Sequence, residues 1–99
     1  MNNTFKALAD PTRREILKML GEKNLTAGEI AEAFKISKPS ISHHLNILKN
    51  AELISGDRDG QSIIYSVNAT VMQEFVNEIM TMFQVGEDTE INTEEDDKS

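Results

Sequence analysis

Between Glu32 and Glu52 the chain carries no acid, yet it holds Lys35, Lys38, Lys49 and the adjacent pair His43 and His44. Short hydrogen-bonding side chains recur in the same window at Ser40, Ser42 and Asn46. These residue types suit close approach to a duplex. An amide pairs bidentately with adenine, a hydroxyl or imidazole reaches base edges or phosphates, and a lysine adds a point charge for the backbone. A second polar cluster, Arg58-Asp59-Gly60-Gln61, brings one more cation and one more amide. The pattern predicts contact with double-stranded DNA through Lys38, Ser40, Ser42, His43 and Asn46, with Arg58 and Gln61 reaching a phosphate or the minor groove.

Plainer explanations compete with this one. A serine at a helix start is first of all a cap, and exposed lysine or asparagine is commonly just solvated surface. A protein-docking module without DNA binding is therefore the alternative, but such a module has no reason to keep Lys35, Lys38 and Lys49 unopposed. Hydrolytic chemistry from Ser40 or Ser42 with the two histidines is weaker still. No third residue orients them and no glycine-rich loop or pocket pattern accompanies them, so no catalytic residue is expected.

The elements that must position these side chains follow from periodicity. If Ile41, Leu45 and Leu48 face inward, a rotation of about 100° per residue turns Pro39, His43, Asn46 and Asn50 outward. Ser40, Ser42 and Ile47 flank that outward face. Ser37 caps this helix and Pro39 sits in its first turn. Before it, Thr26 and Glu29 form a capping box ahead of the apolar set Ile30, Ala31 and Phe34. A turn of about three residues joins the two, which is helix-turn-helix spacing. Upstream lie an amphipathic segment with Phe5, Leu8 and Ala9, then a helix capped by Asp10, opened by Pro11 and expected to end at Gly21. Downstream the period shortens to two. Leu53-Ile54-Ser55 reads as a short strand, and Ile63, Tyr65 and Val67 share one side of a second, with Asp59-Gly60 between them as a hairpin signal. Asn68 caps a last helix. The fold class is mainly α with a β-hairpin wing: a winged helix-turn-helix.

The last helix carries a stripe of Met72, Phe75, Val76, Ile79, Met80 and Phe83, broader than one edge of so small a body needs. Part of it is core packing. A dimer interface formed by Phe5, Leu8, Met72, Phe75, Ile79, Met80 and Phe83 explains the remainder, since a paired reader gains a second half-site about 34 Å away.

The 99 residues fit one domain, 1–85, followed by a tail, 86–99. The tail holds seven acids against Lys98, net −6 of the chain's −7, and is expected to be disordered. Cysteine is absent, which removes disulfides, thiolate metal sites and thiol nucleophiles together. No apolar run exceeds three residues and the first residues lack a signal peptide's apolar segment, so a cytoplasmic protein with no lipid insertion is expected.

Three ordered motifs are distinctive: Ala7-Leu8-Ala9-Asp10-Pro11-Thr12-Arg13-Arg14-Glu15-Ile16-Leu17, then Ser37-Lys38-Pro39-Ser40-Ile41-Ser42-His43-His44-Leu45, then Gly60-Gln61 before Ile64-Tyr65-Ser66. From Phe5 to about Phe83 the chain resembles the ArsR family of bacterial winged-helix repressors, most closely its SdpR-type autorepressor branch. The resemblance implies a homodimer joined through the first and last helices, bound to an imperfect palindrome in a promoter and regulating its own operon. It places Lys38, Ser40, Ser42 and His43 on the DNA-reading helix, with Arg58 and Gln61 in the wing. One departure stands out. Many members sense metals through cysteine in the first helix of the motif, or through histidine and carboxylates on the last helix. Here Glu29-Ile30-Ala31-Glu32-Ala33-Phe34 offers no thiol, and the last helix offers only Gln73, Glu74, Asn77 and Glu78. His43 and His44 point about 100° apart and cannot share an ion, whereas an i, i+4 pair could. No metal and no cofactor are expected; the releasing signal is then something else, for example a protein anti-repressor.

Overall fold

The computed structural model describes residues 2–83, so the 86–99 tail lies outside the described residues. The elements run α1 (Asn2–Leu8), α2 (Pro11–Glu22), β1 (Leu25–Thr26), α3 (Ala27–Phe34), α4 (Lys38–Asn50), β2 (Ile54–Asp59), β3 (Ser62–Val67) and α5 (Ala69–Phe83).

The starts of α2, α3, α4 and α5 are written in the sequence and made by side chains. Asp10 accepts from the Arg13 backbone N–H at 3.1 Å, with Pro11 behind it in the first turn. Thr26 accepts from the Glu29 N–H while Glu29 Oε1 accepts from the Thr26 N–H at 2.8 Å, a complete capping box. Ser37 accepts from the Ser40 N–H, and Asn68 Oδ1 from the Val71 N–H. The exits are less legible. Gly21 does not end α2; the helix continues to Glu22 and leaves through an extended Lys23. No left-handed residue is needed there, because the chain must run straight on into β1. The left-handed positions are instead Lys35 and Glu52, which close α3 and α4. With Lys35 at φ 58°, the Ile36 N–H reaches back to the Ala31 carbonyl, and α4 begins three residues on.

The core lies under α4. Ile41, Leu45 and Leu48 are buried against Ile16, Leu17 and Leu20 of α2, Ile30 and Ala31 of α3, and Leu53 and Ile54. The inward face of α4 is thus the one expected, which leaves Ser40, Ser42, His43 and Asn46 in solvent.

The sheet is three-stranded and antiparallel in the order β1-β3-β2. Two residues of β1 join it, Leu25 opposite Tyr65 and Thr26 opposite Ile64. This pairing was not legible, since two residues carry no period. The hairpin pairs Asp59 with Ser62, leaving Gly60 (φ +68°) and Gln61 as its loop. β2 is longer than the expected Leu53–Ser55 strand. It runs through Arg58, which pairs with Ile63 rather than sitting in the turn. Gly56 allows this length: a Cβ there would stand 2.8 Å from Ile63 Cγ2 and 3.2 Å from Tyr65 Cε1.

Candidate nucleic-acid interface

Lys38 and Ser42 stand one turn apart on α4 and face the hairpin. Together with Thr26, Ala27 and Gly28 at the start of α3, and with Gln61 and Ser62 at the wing, they line a cleft of about 280 Å3. Three separate segments thus converge on one site. A phosphate-bearing strand laid there would meet a lysine, a hydroxyl and an amide.

The other expected contacts are distributed around this cleft. Ser40 is exposed, but its hydroxyl accepts from Ser37 Oγ at 3.0 Å, which draws it into the cap. Asn46 is exposed one turn beyond Ser42, where a major-groove edge would run. Arg58 is exposed on β2 and does not line the cleft. His43 is also exposed, about 100° around α4 from Ser42 and on the side toward α1. With Asn3 and Lys6 of α1, and Ile47 and Asn50, it borders a second cleft of about 470 Å3.

His44 departs from expectation. Both histidines were expected on an exposed helix, but His44 is half-buried and its Nδ1 lies 3.2 Å from Arg13 Nη1. Arginine has donors only, so Nδ1 is the acceptor in this contact. The same guanidinium donates to the Ala7 carbonyl at 2.7 Å and the Lys6 carbonyl at 3.0 Å, while Arg14 donates to the Leu8 carbonyl at 2.7 Å. These three carbonyls end α1; the Lys6 carbonyl also accepts from the Ala9 N–H at 3.3 Å, while the arginines supply donors to the Ala7 and Leu8 carbonyls. The sequence did contain a signal for this. Two arginines open α2, where the helix dipole disfavours cations and where no acid stands.

Asp10 completes the arrangement. Partial burial pushes its carboxyl upward, but the Arg13 backbone N–H bond, the neighbouring Arg13 charge and the Thr12 N–H outweigh it. The net pKa lies below the ordinary 3.8. A depressed carboxylate stabilises the fold above its unfolded pKa, and that contribution is lost as pH falls through the folded one. Asp10→Asn keeps a cap but not a charge. It should therefore lose less stability than wild type between about pH 5 and about pH 2. Urea midpoints at the two ends of that range check this, and parallel curves for both proteins would refute it.

The expected dimer residues divide in two. Leu8 and Met72 pack against the chain's own core, and Phe75 meets Phe5 edge-on at 5.3 Å between ring centroids. Ile79 is half-buried. Beyond it, Val76, Met80, Met82 and Phe83 are exposed, Phe83 at 65% of its surface, as is Phe5 at 42%. No residue of α5 is fully buried. Met82 was missed, although the 75, 79, 82 spacing continues the helical stripe.

Comparison with known proteins fits this geometry. The profile described as "Bacterial regulatory protein, arsR family" matches residues 10–55. The transcriptional repressor SdpR of Bacillus subtilis is 59% identical over 87 residues, spanning 88% of this chain and 97% of that protein. An ArsR-like transcriptional regulator from Rhodococcus superimposes with a TM-score of 0.74 at 29% identity, over 90% of this chain and 79% of that one. A homodimeric winged helix-turn-helix DNA-binding domain from Mycobacterium bovis shares the fold, with a TM-score of 0.69 at 23% identity over 98% of this chain and 86% of that one.

Proposed function

The chain belongs to the ArsR family of bacterial regulatory proteins, and from that membership together with the cleft geometry we propose that it is a DNA-binding transcriptional repressor. The observation that carries the reading is the convergence of Lys38, Ser42 and Gln61 on one cleft. Helix α4 enters the major groove with Lys38, Ser40, Ser42, His43 and Asn46 toward the duplex, while Gln61 and Arg58 bring the wing to the flanking backbone.

The protein acts in the cytoplasm as a homodimer on a palindromic promoter site, its own among them. The exposed apolar end of α5 and the Phe5–Phe75 contact supply the pairing surface. Half-sites related by the dimer axis then account for the palindrome. Among the described residues no helix is long and apolar enough to cross a membrane.

The metal-sensing role of many relatives does not suit this donor set. There is no thiol, and His44 Nδ1 is engaged by Arg13 while His43 borders a different cleft. Carboxylates and amides on α5 would hold a transition metal poorly. The releasing signal is a protein anti-repressor that competes for the DNA face or sequesters the dimer.

Fluorescence anisotropy on the chain's own upstream DNA, against a scrambled duplex at two salt concentrations, tests the reading. Preference for the upstream duplex by about a hundredfold at the higher salt is expected. Absence of binding to either duplex at low salt would return the protein-docking alternative. Lys38→Ala should weaken binding to every sequence and reduce the slope of log affinity against log salt by about one unit. An unchanged slope would remove Lys38 from the interface.

A further inference from the structure

We infer that Arg13 is the positioning residue that fixes the angle between the DNA-reading helix α4 and the dimerisation helix α1, and so sets the spacing of half-sites the repressor accepts. The inference rests on the dimeric repressor reading above.

The geometry is specific. Two acceptors of the Arg13 fork, the Lys6 and Ala7 carbonyls, belong to α1; the third, His44 Nδ1, belongs to α4. Helix α1 carries Phe5 of the pairing surface, and α4 carries the reading side chains. One rigid planar group therefore ties the two functional halves of the protomer together. A lysine ammonium offers a single centre and cannot address three acceptors spread across a fork. The placement runs against the dipole of α2, and Asp10 supplies the offsetting charge beside it. His44 follows His43, so a tilt of α4 at this joint moves the reading face directly. In a two-fold dimer any tilt occurs in both protomers, which changes the separation of the two reading helices.

The test uses the full chain as wild type, Arg13→Lys, His44→Leu and His44→Gln. Each is measured on the upstream operator and on versions with the half-sites moved together or apart by a single base pair. Dimerisation is followed by sedimentation and folding by thermal unfolding. Wild type should prefer the native spacing. Arg13→Lys and His44→Leu should bind it about tenfold more weakly, the scale of one charge-assisted hydrogen bond, and should discriminate less between spacings while remaining dimeric. His44→Gln, whose amide oxygen restores the acceptor, should recover most of the preference. If Arg13→Lys fails to fold, the two His44 variants decide, because they leave the α1 carbonyls capped. Unaltered spacing discrimination in folded, dimeric His44→Leu would overturn the positioning role while leaving the repressor intact. A wild-type chain without preference for the operator over a scrambled duplex would instead sink the repressor reading, and the positioning role with it.

Discussion

Leu45→Ala is expected to destabilise the protein by about 3 kcal/mol, the centre of the range for deleting a buried leucine side chain that its surroundings cannot replace. Leu45 is 1% exposed and sits where α4 crosses the core formed by α2, α3 and the start of β2. In a domain this small each kcal/mol lowers the thermal midpoint by roughly 4–8 °C, so the shift is easily read by circular dichroism. Asn46→Ala provides the contrast. Its side chain is the next along the same helix but points into solvent, and its removal should change stability by less than about 0.5 kcal/mol. Leu45→Ala should thus damage the fold and Asn46→Ala only the reading of DNA. Near-wild-type unfolding of Leu45→Ala would mean that α4 is not seated on the core as described.

Met80→Glu carries the second large effect, and it separates folding from assembly. Met80 is 42% exposed in the protomer, so a glutamate there meets water and the isolated chain should fold normally. Within a two-fold interface the same carboxylate is buried without a partner, and it is introduced twice. A penalty of about 3 kcal/mol would weaken dimerisation by roughly a hundredfold. Operator affinity should fall with it, because each half-site is then bound by itself. Sedimentation equilibrium checks the first effect and anisotropy the second. A dimer of undiminished strength would place the pairing surface elsewhere, and the exposed Met82 and Phe83 would need another explanation.

The legible features of this chain were those encoded within a few residues. Asp10, Thr26 with Glu29, Ser37 and Asn68 announce helix starts because a cap reaches only two or three residues ahead. The i, i+4, i+7 set Ile41, Leu45 and Leu48 fixed which side of α4 faces out, and with it the exposure of Ser42 and Asn46. What escaped depends on partners distant in the chain. β1 exists only because Leu25 and Thr26 find Tyr65 and Ile64. The half-buried place of His44 involves Arg13, thirty-one positions before it. The helix exit at Gly21 was misread because a glycine signals an end only where a left-handed turn follows, and α2 leaves straight. Within the candidate site, residue types were readable. Their division between two clefts was not, since that depends on where α1 and the wing lie against α4.

The short β1 strand has a kinetic consequence. Leu25 and Tyr65 lie forty positions apart, whereas the helix-turn-helix contacts close loops of only a few residues. Loop closure of that length carries an entropy cost that local helix packing avoids, so the strand should dock late in folding. It is also held by just two residue pairs, which makes it an easy place for local opening. The wing can thus detach from the start of α3 and re-form while the helices stay folded, and amide exchange at Leu25 should be faster than in the middle of α4.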